Sequence, residues 1–185
     1  SWDSTDFWMI SCGNDAAPGS ITALGLRSKS DGYVAFHRNS NDGGAIVSNT
    51  QMTAGQWNHI VVTQTNGSTA KIYLNGTEVA SGTFSTTQTA TISGNGGASN
   101  FASFSRSATY ALLTGTMDQI RILNKVLSSS EVTTLYGETS ASSTKSIADI
   151  FDDGSGIALY ELEGNANDTG GVTGRTEGTE SAIFS

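Results

Sequence analysis

Two Asn-Gly pairs, at positions 66–67 and 75–76, separate three short runs of strand-forming residues between Gln56 and Ala80. The middle run, residues 70–74, alternates strictly, so we expect Ala70, Ile72 and Leu74 to face inward. Asn-Gly readily supplies the two positive-φ residues of a tight hairpin turn. The stretch therefore predicts a three-stranded antiparallel meander, with Trp57 at the start of its first strand and in the core.

Further short strands follow the same kind of pattern at 21–26, 32–36, 45–47, 90–93, 116–123 and 157–162. One short helix is predicted, because Ser128 and Glu131 have the spacing of a capping box and Gly137 suits a helix C-terminus. Many short strands with almost no helix predict an all-β protein. We expect a two-sheet antiparallel β-sandwich of the jelly-roll type with one short helix.

Composition supports this class and argues against several functions. Only 14% of residues are charged, Pro occurs once and Gly 22 times, which suits strands joined by glycine turns. The net charge is −8 and no cluster of Lys or Arg occurs, so we expect no nucleic-acid partner. No apolar run approaches the ~18 residues of a membrane helix, so we expect no membrane insertion. The single Cys12 excludes an internal disulfide.

A shift in composition after residue 138 suggests three regions. Residues 1–138 are predicted to form the sandwich, and 139–155, which begin with a Ser- and Thr-rich run, to form a linker. Residues 156–185 carry a further strand that we expect to complete a sandwich, in its own chain, in a neighbouring subunit or as the next repeat. The opening Ser1-Trp2 without Met suggests that the natural polypeptide continues on both sides.

Two segments resemble a known family in sequence and in order. Residues 57–63 with 72–76 resemble the W-x-H-[IV]-x-x-T and [IL]-Y-[LV]-N-G signature of laminin G-like domains, in the concanavalin A-like lectin/glucanase superfamily. Residues 115–131 resemble the closing motif of that family. Residues 157–168 are similar to the segment that normally opens such a domain, yet here they come last. The resemblance implies a display or attachment role, as in arrays of bacterial surface proteins and phage virion appendages.

The resemblance also implies candidate ligands. Many relatives bind calcium through an Asp and backbone carbonyls, and Asp118 and Asp168 match the positions of the family's acidic residues, so calcium is a possible cofactor. For an extracellular or cell-surface glycan, an exposed aromatic face is expected. The candidate ligand-binding residues are Trp2, Trp8, Tyr33 and Tyr110.

Catalysis is not expected. Glycoside hydrolases with this fold carry E-x-D-x-E or a close variant on one strand, and Glu161 with Glu163 lacks the intervening and third carboxylates. We therefore predict a non-catalytic extracellular or virion-surface binding or adhesion module that recognises glycans. The alternative is a spacer or decoration domain of a fibre or capsid without a ligand; a hydrolase is disfavoured. Copies of the chain are a further candidate partner, through exchange of strand 157–162, which we expect beside 116–123.

Overall fold

Antiparallel strands dominate the computed structural model, which describes residues 7–13, 22–37, 45–65, 67–84, 115–138 and 149–160. The described strands are β1 (Phe7–Gly13), β2 (Thr22–Ser28), β3 (Tyr33–His37), β4 (Ala45–Gln51), β5 (Ile60–Gln64), β6 (Thr69–Leu74), β7 (Thr77–Thr83), β8 (Ile120–Leu123) and β9 (Gly156–Tyr160). Helix α1 spans Ser129–Tyr136. Two compact units result, one formed by Ser1–Thr114 with Ser128–Tyr136 and the other by Gly115–Leu127 with Gly137–Ser185.

The first unit is a two-sheet sandwich. One sheet has the strand order β1-β2-β3-β4 and the other β5-β6-β7, and every pairing is antiparallel. Phe36 on β3 and Phe84 just after β7 meet edge to face, with ring centroids 5.8 Å apart. Both rings are buried, so they join the two sheets through the core. The predicted fold class is confirmed.

The predicted meander is confirmed as β5, β6 and β7, and Ala70, Ile72 and Leu74 are buried as expected. Tyr73, on the opposite face of β6, is buried as well, so this strand is covered on both sides. Strand β1 was not predicted from the sequence. The predicted strand at 90–93 and residue Asn66 lie outside the described residues.

Helix α1 begins with the predicted capping box. The Ser128 backbone N–H donates to Glu131 Oε2 at 2.8 Å, and the Glu131 N–H donates to Ser128 Oγ at 3.3 Å. Val132 and Leu135 are buried, which orients the helix, whereas Tyr136 is half exposed. Within the described part of the chain, no helix has the length and hydropathy needed to span a bilayer.

The second unit contains the pairing of β8 with β9. Ile120 opposes Tyr160, Arg121 opposes Leu159 and Ile122 opposes Ala158, in an antiparallel register. Strand β9 thus pairs in its own chain with the strand that the sequence predicts as its partner. The domain boundaries expected from the sequence, and the completion of a sandwich by residues 156–185, stay predictions.

A turn formed by residues 149–155, which we call the acidic turn, leads into β9. The Asp149 carboxylate accepts hydrogen bonds from the N–H groups of Asp153 and Gly154, and Asp153 Oδ1 accepts one from the Ser155 N–H. Asp152 and Gly154 have positive φ, at 53° and 76°. Asp153 also forms an ion pair with Lys125. These carboxylates therefore stabilise the turn itself.

Gly82 provides a test of the packing between the two sheets. A Cβ at this position would lie 2.9 Å from Ile46 Cγ1 and 3.0 Å from Cδ1 across the sandwich. We expect Gly82→Ala to lower the free energy of unfolding by about 1–3 kcal/mol, the usual cost of overpacking. In an Ile46→Ala background the cost should largely disappear. Urea denaturation of the four proteins measures this coupling, and additive effects would contradict the packing described.

Asp153 gives a prediction about pH. The hydrogen bond from Lys125, with a smaller contribution from Ser155, lowers the pKa of the Asp153 carboxyl below its usual value. A lowered pKa contributes stability that is present above the unfolded-state pKa, about 3.8–3.9, and is lost as pH falls through the folded-state value. We therefore expect Asp153→Asn to make the free energy of unfolding less steeply dependent on pH below about pH 4.

Urea denaturation at pH values from about 6 to about 3 measures that slope. Lys125→Met should flatten the same part of the profile, because it removes the partner that favours the ionised Asp153. Asp118→Asn, with all proteins measured in EDTA, removes an equal charge at another exposed position and serves as the control. If the free energy of unfolding of both Asp153→Asn and Lys125→Met depends on acid pH as steeply as that of the wild type, the ion pair does not contribute to the pH dependence of stability.

Candidate functional site at one rim of the sandwich

The strand registers bring three connections of the first unit to the same end of the sandwich. Tyr33 at the start of β3 pairs with Gln51 at the end of β4, and Ile60 at the start of β5 pairs with Leu74 at the end of β6. The β2–β3 turn, the β4–β5 connection (residues 52–59) and the β6–β7 turn therefore meet at one edge. We call this edge, together with Tyr136 at the end of α1, the loop rim.

The β4–β5 connection is held by the Asn58 side chain. Asn58 Oδ1 accepts a hydrogen bond from the Thr53 N–H, and Nδ2 donates to the carbonyl oxygens of Thr53 and Gln56, all at 2.9 Å. Gly55, with a φ of 72°, allows the chain to turn between them. The frame leaves Trp57 with 69% of its surface exposed.

Exposure of Trp57 corrects the expectation that this residue lies in the core. Strand β5 begins only at Ile60, so Trp57 precedes the strand instead of belonging to it. The alternation of β5 does not continue before Ile60, because side-chain hydrogen bonds of Asn58 fix the preceding segment in another conformation. Gly55, two residues before Trp57, is the signal in the sequence that marks a turn there.

The β6–β7 turn forms two hydrogen bonds with His59, two residues after Trp57. The Asn75 N–H donates to the His59 carbonyl at 2.8 Å, and the His59 N–H donates to Asn75 Oδ1 at 2.9 Å. Asn75 and Gly76 have φ of 50° and 80°, the pair of positive values that a type I′ turn needs. This reciprocal pair joins two of the three rim connections.

Tyr136 adds a second exposed aromatic ring to the rim. Its ring centroid lies 5.7 Å from that of His59, and 50% of the residue is exposed. A Cβ on Gly76 would approach Tyr136 Cδ1 to 3.0 Å, so a residue other than glycine would require the ring to shift by a few tenths of an ångström. Tyr136 follows the buried Leu135 in the last turn of α1 and is half exposed.

Tyr33, a predicted ligand-binding residue, lies at the same rim but is half-buried. The Lys29 ammonium lies 5.9 Å from the centroid of its ring and 3.1 Å from Asp31 Oδ2. The hydrogen bond from Lys29 lowers the pKa of the Asp31 carboxyl below its usual value. Gln51 Nε2 donates to the Asp31 carbonyl at 2.7 Å, which ties this turn to the end of β4.

The other predicted site residues are not brought to the rim by the described structure. Asp118 is exposed in the second unit, ahead of Gln119, whose φ is 49°. Trp2, Tyr110 and Asp168 lie outside the described residues, and so does the side chain of Trp8. Among the described residues, no group of three or more His, Cys, Asp or Glu side chains is arranged to hold a metal ion.

Comparison with known proteins identifies the family. A profile described as the concanavalin A-like lectin/glucanases superfamily, of the laminin G type, matches residues 3–133. Curated protein sequences give no significant match. One similar structure is that of residues 221–444 of an S-layer domain-containing protein from Clostridium thermocellum, with 27% identity and a TM-score of 0.36. The match covers 73% of this chain and 64% of that one, and a TM-score this low supports no statement about shared function.

Proposed function

We propose that this chain, which belongs to the concanavalin A-like lectin/glucanase superfamily, is a non-catalytic, extracellular glycan-binding or adhesion module that binds its ligand at the loop rim. The observation that carries the proposal is the exposure of Trp57 on a hydrogen-bonded frame. Tryptophan is highly buried on average. Here three hydrogen bonds of the Asn58 side chain hold the connection in a form that exposes Trp57, so its exposure needs an explanation other than packing.

The chemistry of an indole ring suits a sugar. One face of a pyranose ring carries mainly C–H groups, which pack against an aromatic surface, while the indole N–H donates a hydrogen bond at its edge. Sugar sites combine such a ring with a few fixed polar groups. At this rim Tyr136 supplies a second half-exposed ring, and Asp31 and Asn75 supply polar groups held by the turns.

Charge narrows the class of glycan. The net charge of −8 repels acidic polymers at long range, so we expect neutral sugars to be preferred over uronic or sialic acids. The same charge disfavours nucleic acids. A location outside the cell, on a cell surface or on a virion surface is proposed because extracellular glycans are then within reach.

The carboxylates of the rim favour binding over hydrolysis. Glycoside hydrolysis ordinarily requires two carboxyl groups about 5–9.5 Å apart, one on each side of the scissile bond. Among the described residues of the rim, Asp31 is the one carboxylate, and it interacts with Lys29 and with the backbone of Tyr33. This arrangement supports a module without catalytic activity.

Calcium is proposed at Asp118, with Asp168 as a second ligand. An exposed carboxylate is a hard oxygen donor of the kind that calcium prefers, and backbone carbonyl groups would supply further oxygens. Of the two carboxylates, only Asp118 lies among the described residues. When bound, calcium would crosslink the chain around Asp118.

A structural role is the second candidate. In it, copies of the chain would join into a fibre, a capsid decoration or another surface assembly, with or without a glycan ligand. The observation that favours it is the pairing of β8, which lies within the family match, with β9, which lies beyond residue 133. Because the two strands come from separate stretches of the chain, the same pairing formed between copies would join them.

Trp57→Ala tests glycan binding. On an array of neutral and acidic oligosaccharides, we expect the wild type to bind neutral glycans and Trp57→Ala to bind the best of them at least about tenfold more weakly. Covering an apolar ring of this size is worth about 1.5 kcal/mol or more, which is a factor of about ten. Thermal stability should change little, because Trp57 is exposed.

Val126→Ala is the matched control, since Val126 is also an exposed apolar residue but lies in the second unit. It should bind like the wild type in titration calorimetry. No binding of any arrayed glycan by the wild type would overturn the proposal. Equal affinity of wild type and Trp57→Ala would place the sugar elsewhere.

Calcium binding is tested by thermal unfolding in calcium and in EDTA. A ligand that binds only the native state raises the melting temperature by mass action. We expect calcium to raise the melting temperature of the wild type by several degrees and that of Asp118→Asn by much less. Magnesium is the control ion, because its smaller octahedral shell suits such a site poorly. Identical curves in calcium and EDTA would refute the site.

A further inference from the structure

Strand β9 is supplied from outside the part of the chain that matches the family. The match ends at residue 133, and β9 spans Gly156–Tyr160. Its partner β8 lies inside the match. The second unit is therefore built from two separate stretches, Gly115–Leu127 and Gly137–Ser185, and without the second stretch β8 would keep an unpaired edge.

The segment that completes this unit is organised by its own contacts. In the acidic turn the hydrogen bonds from Asp153 and Gly154 to the Asp149 carboxylate, and from Ser155 to Asp153, all lie within residues 149–155. The Asp152 N–H also donates to the Asp149 carbonyl at 3.2 Å. We call the acidic turn together with β9 the docking module, and the hydrogen bonds named here hold its turn through contacts within the segment itself.

Specific contacts dock this module onto the region of β8. The Asn124 N–H donates to the Ser155 carbonyl at 2.7 Å, which extends the ladder of β8 and β9 by one hydrogen bond. The Lys125 ammonium pairs with Asp153 and lies 4.3 Å from the centroid of the Phe151 ring. Together the three contacts select one register, and they are available to the same segment of any copy of the chain.

Burial of its side chains stabilises β9 in its place beside β8. Ala158 and Leu159 are adjacent on β9, so their side chains point to opposite faces, and both are almost completely buried. A single two-stranded sheet is at best marginally stable by itself, so burial of both faces is what holds β9. The ten residues 139–148, rich in Ser, Thr and Ala, span at most about 33 Å when extended.

We propose that β9 of one copy pairs with β8 of a second copy of this chain, so that the C-terminal segment links copies by strand exchange. The inference rests on the structural role given above as the second candidate function. Exchange replaces each contact of the docking module with the same contact from another chain, so concentration decides between the two arrangements. When each copy donates to the next, the assembly stays open and grows as a fibre.

A disulfide between copies tests the exchange in the full-length chain. Ile122 and Ala158 are directly opposed in the register, so cysteines at these positions come within reach of a disulfide. Two variants, Ile122→Cys and Ala158→Cys, are made in a Cys12→Ser background, mixed at high concentration, refolded together and oxidised. Gel electrophoresis without reductant measures the covalent dimer, and peptide mass spectrometry identifies the bond.

We expect at least about tenfold more dimer from this mixture than from Ala158→Cys mixed with Val47→Cys. Opposed strand residues are held together, whereas an exposed thiol at position 47 meets the buried position 158 of another copy only by collision. Ile122→Cys with Ala158→Cys on one chain is the folding control, and diluted it should form a disulfide within the monomer. A matched mixture that gives no more dimer than the control overturns strand exchange.

Sedimentation of the unsubstituted chain distinguishes an absence of strand exchange from an absence of any association between copies. Concentration-dependent association without the disulfide would mean that copies join through another surface, so the structural role would stand and strand exchange would fall. A chain that stays monomeric at every concentration and gives no matched disulfide would refute both. Association together with the matched disulfide supports both.

Discussion

The reciprocal hydrogen bonds between His59 and Asn75 determine how the rest of the rim is arranged. They fix the β6–β7 turn against the residue that precedes β5, and so they set where the β4–β5 connection must end. The glycine next to Asn75 leaves space for the Tyr136 ring, which packs beside His59. A buried hydrophobic sandwich would accept many loop geometries, and this pair fixes one end of the connection whose Asn58 frame leaves Trp57 exposed.

Local turn chemistry explains which parts of the fold could be predicted from sequence. Asn75-Gly76 has a conformational requirement that few residue pairs meet, and strict alternation in β6 leaves a single register that buries its apolar face. The capping box of α1 is equally local, because Ser128 and Glu131 satisfy each other's backbone groups. Each of these features depends on residues only a few positions apart.

The features that sequence analysis missed depend on particular side-chain contacts. Trp57 has the composition of a strand residue, and its exposure follows from the way Asn58 holds Thr53 and Gln56. Tyr136 continues the apolar stripe of its helix, yet its ring lies against a turn sixty residues earlier, at Gly76. Propensity and periodicity describe neither contact, because neither of them specifies which side chain bonds to or packs against which group.

Glycan binding at the rim and exchange of β9 involve different residues, and this makes the two proposals compatible. The rim is formed by the first unit, whereas exchange of β9 replaces contacts within the second unit, so strand exchange leaves the hydrogen-bonded frame of Trp57 unchanged. The proposed site, with one ring 69% exposed and the other half exposed, would cover little of a sugar and would bind it weakly by itself. Linked copies present many such sites on one assembly, and the second contact then occurs at a high effective concentration. If copies are linked in the proposed way, a weak rim combined with an exchangeable strand would therefore be sufficient for firm adhesion to a surface that repeats the same neutral glycan.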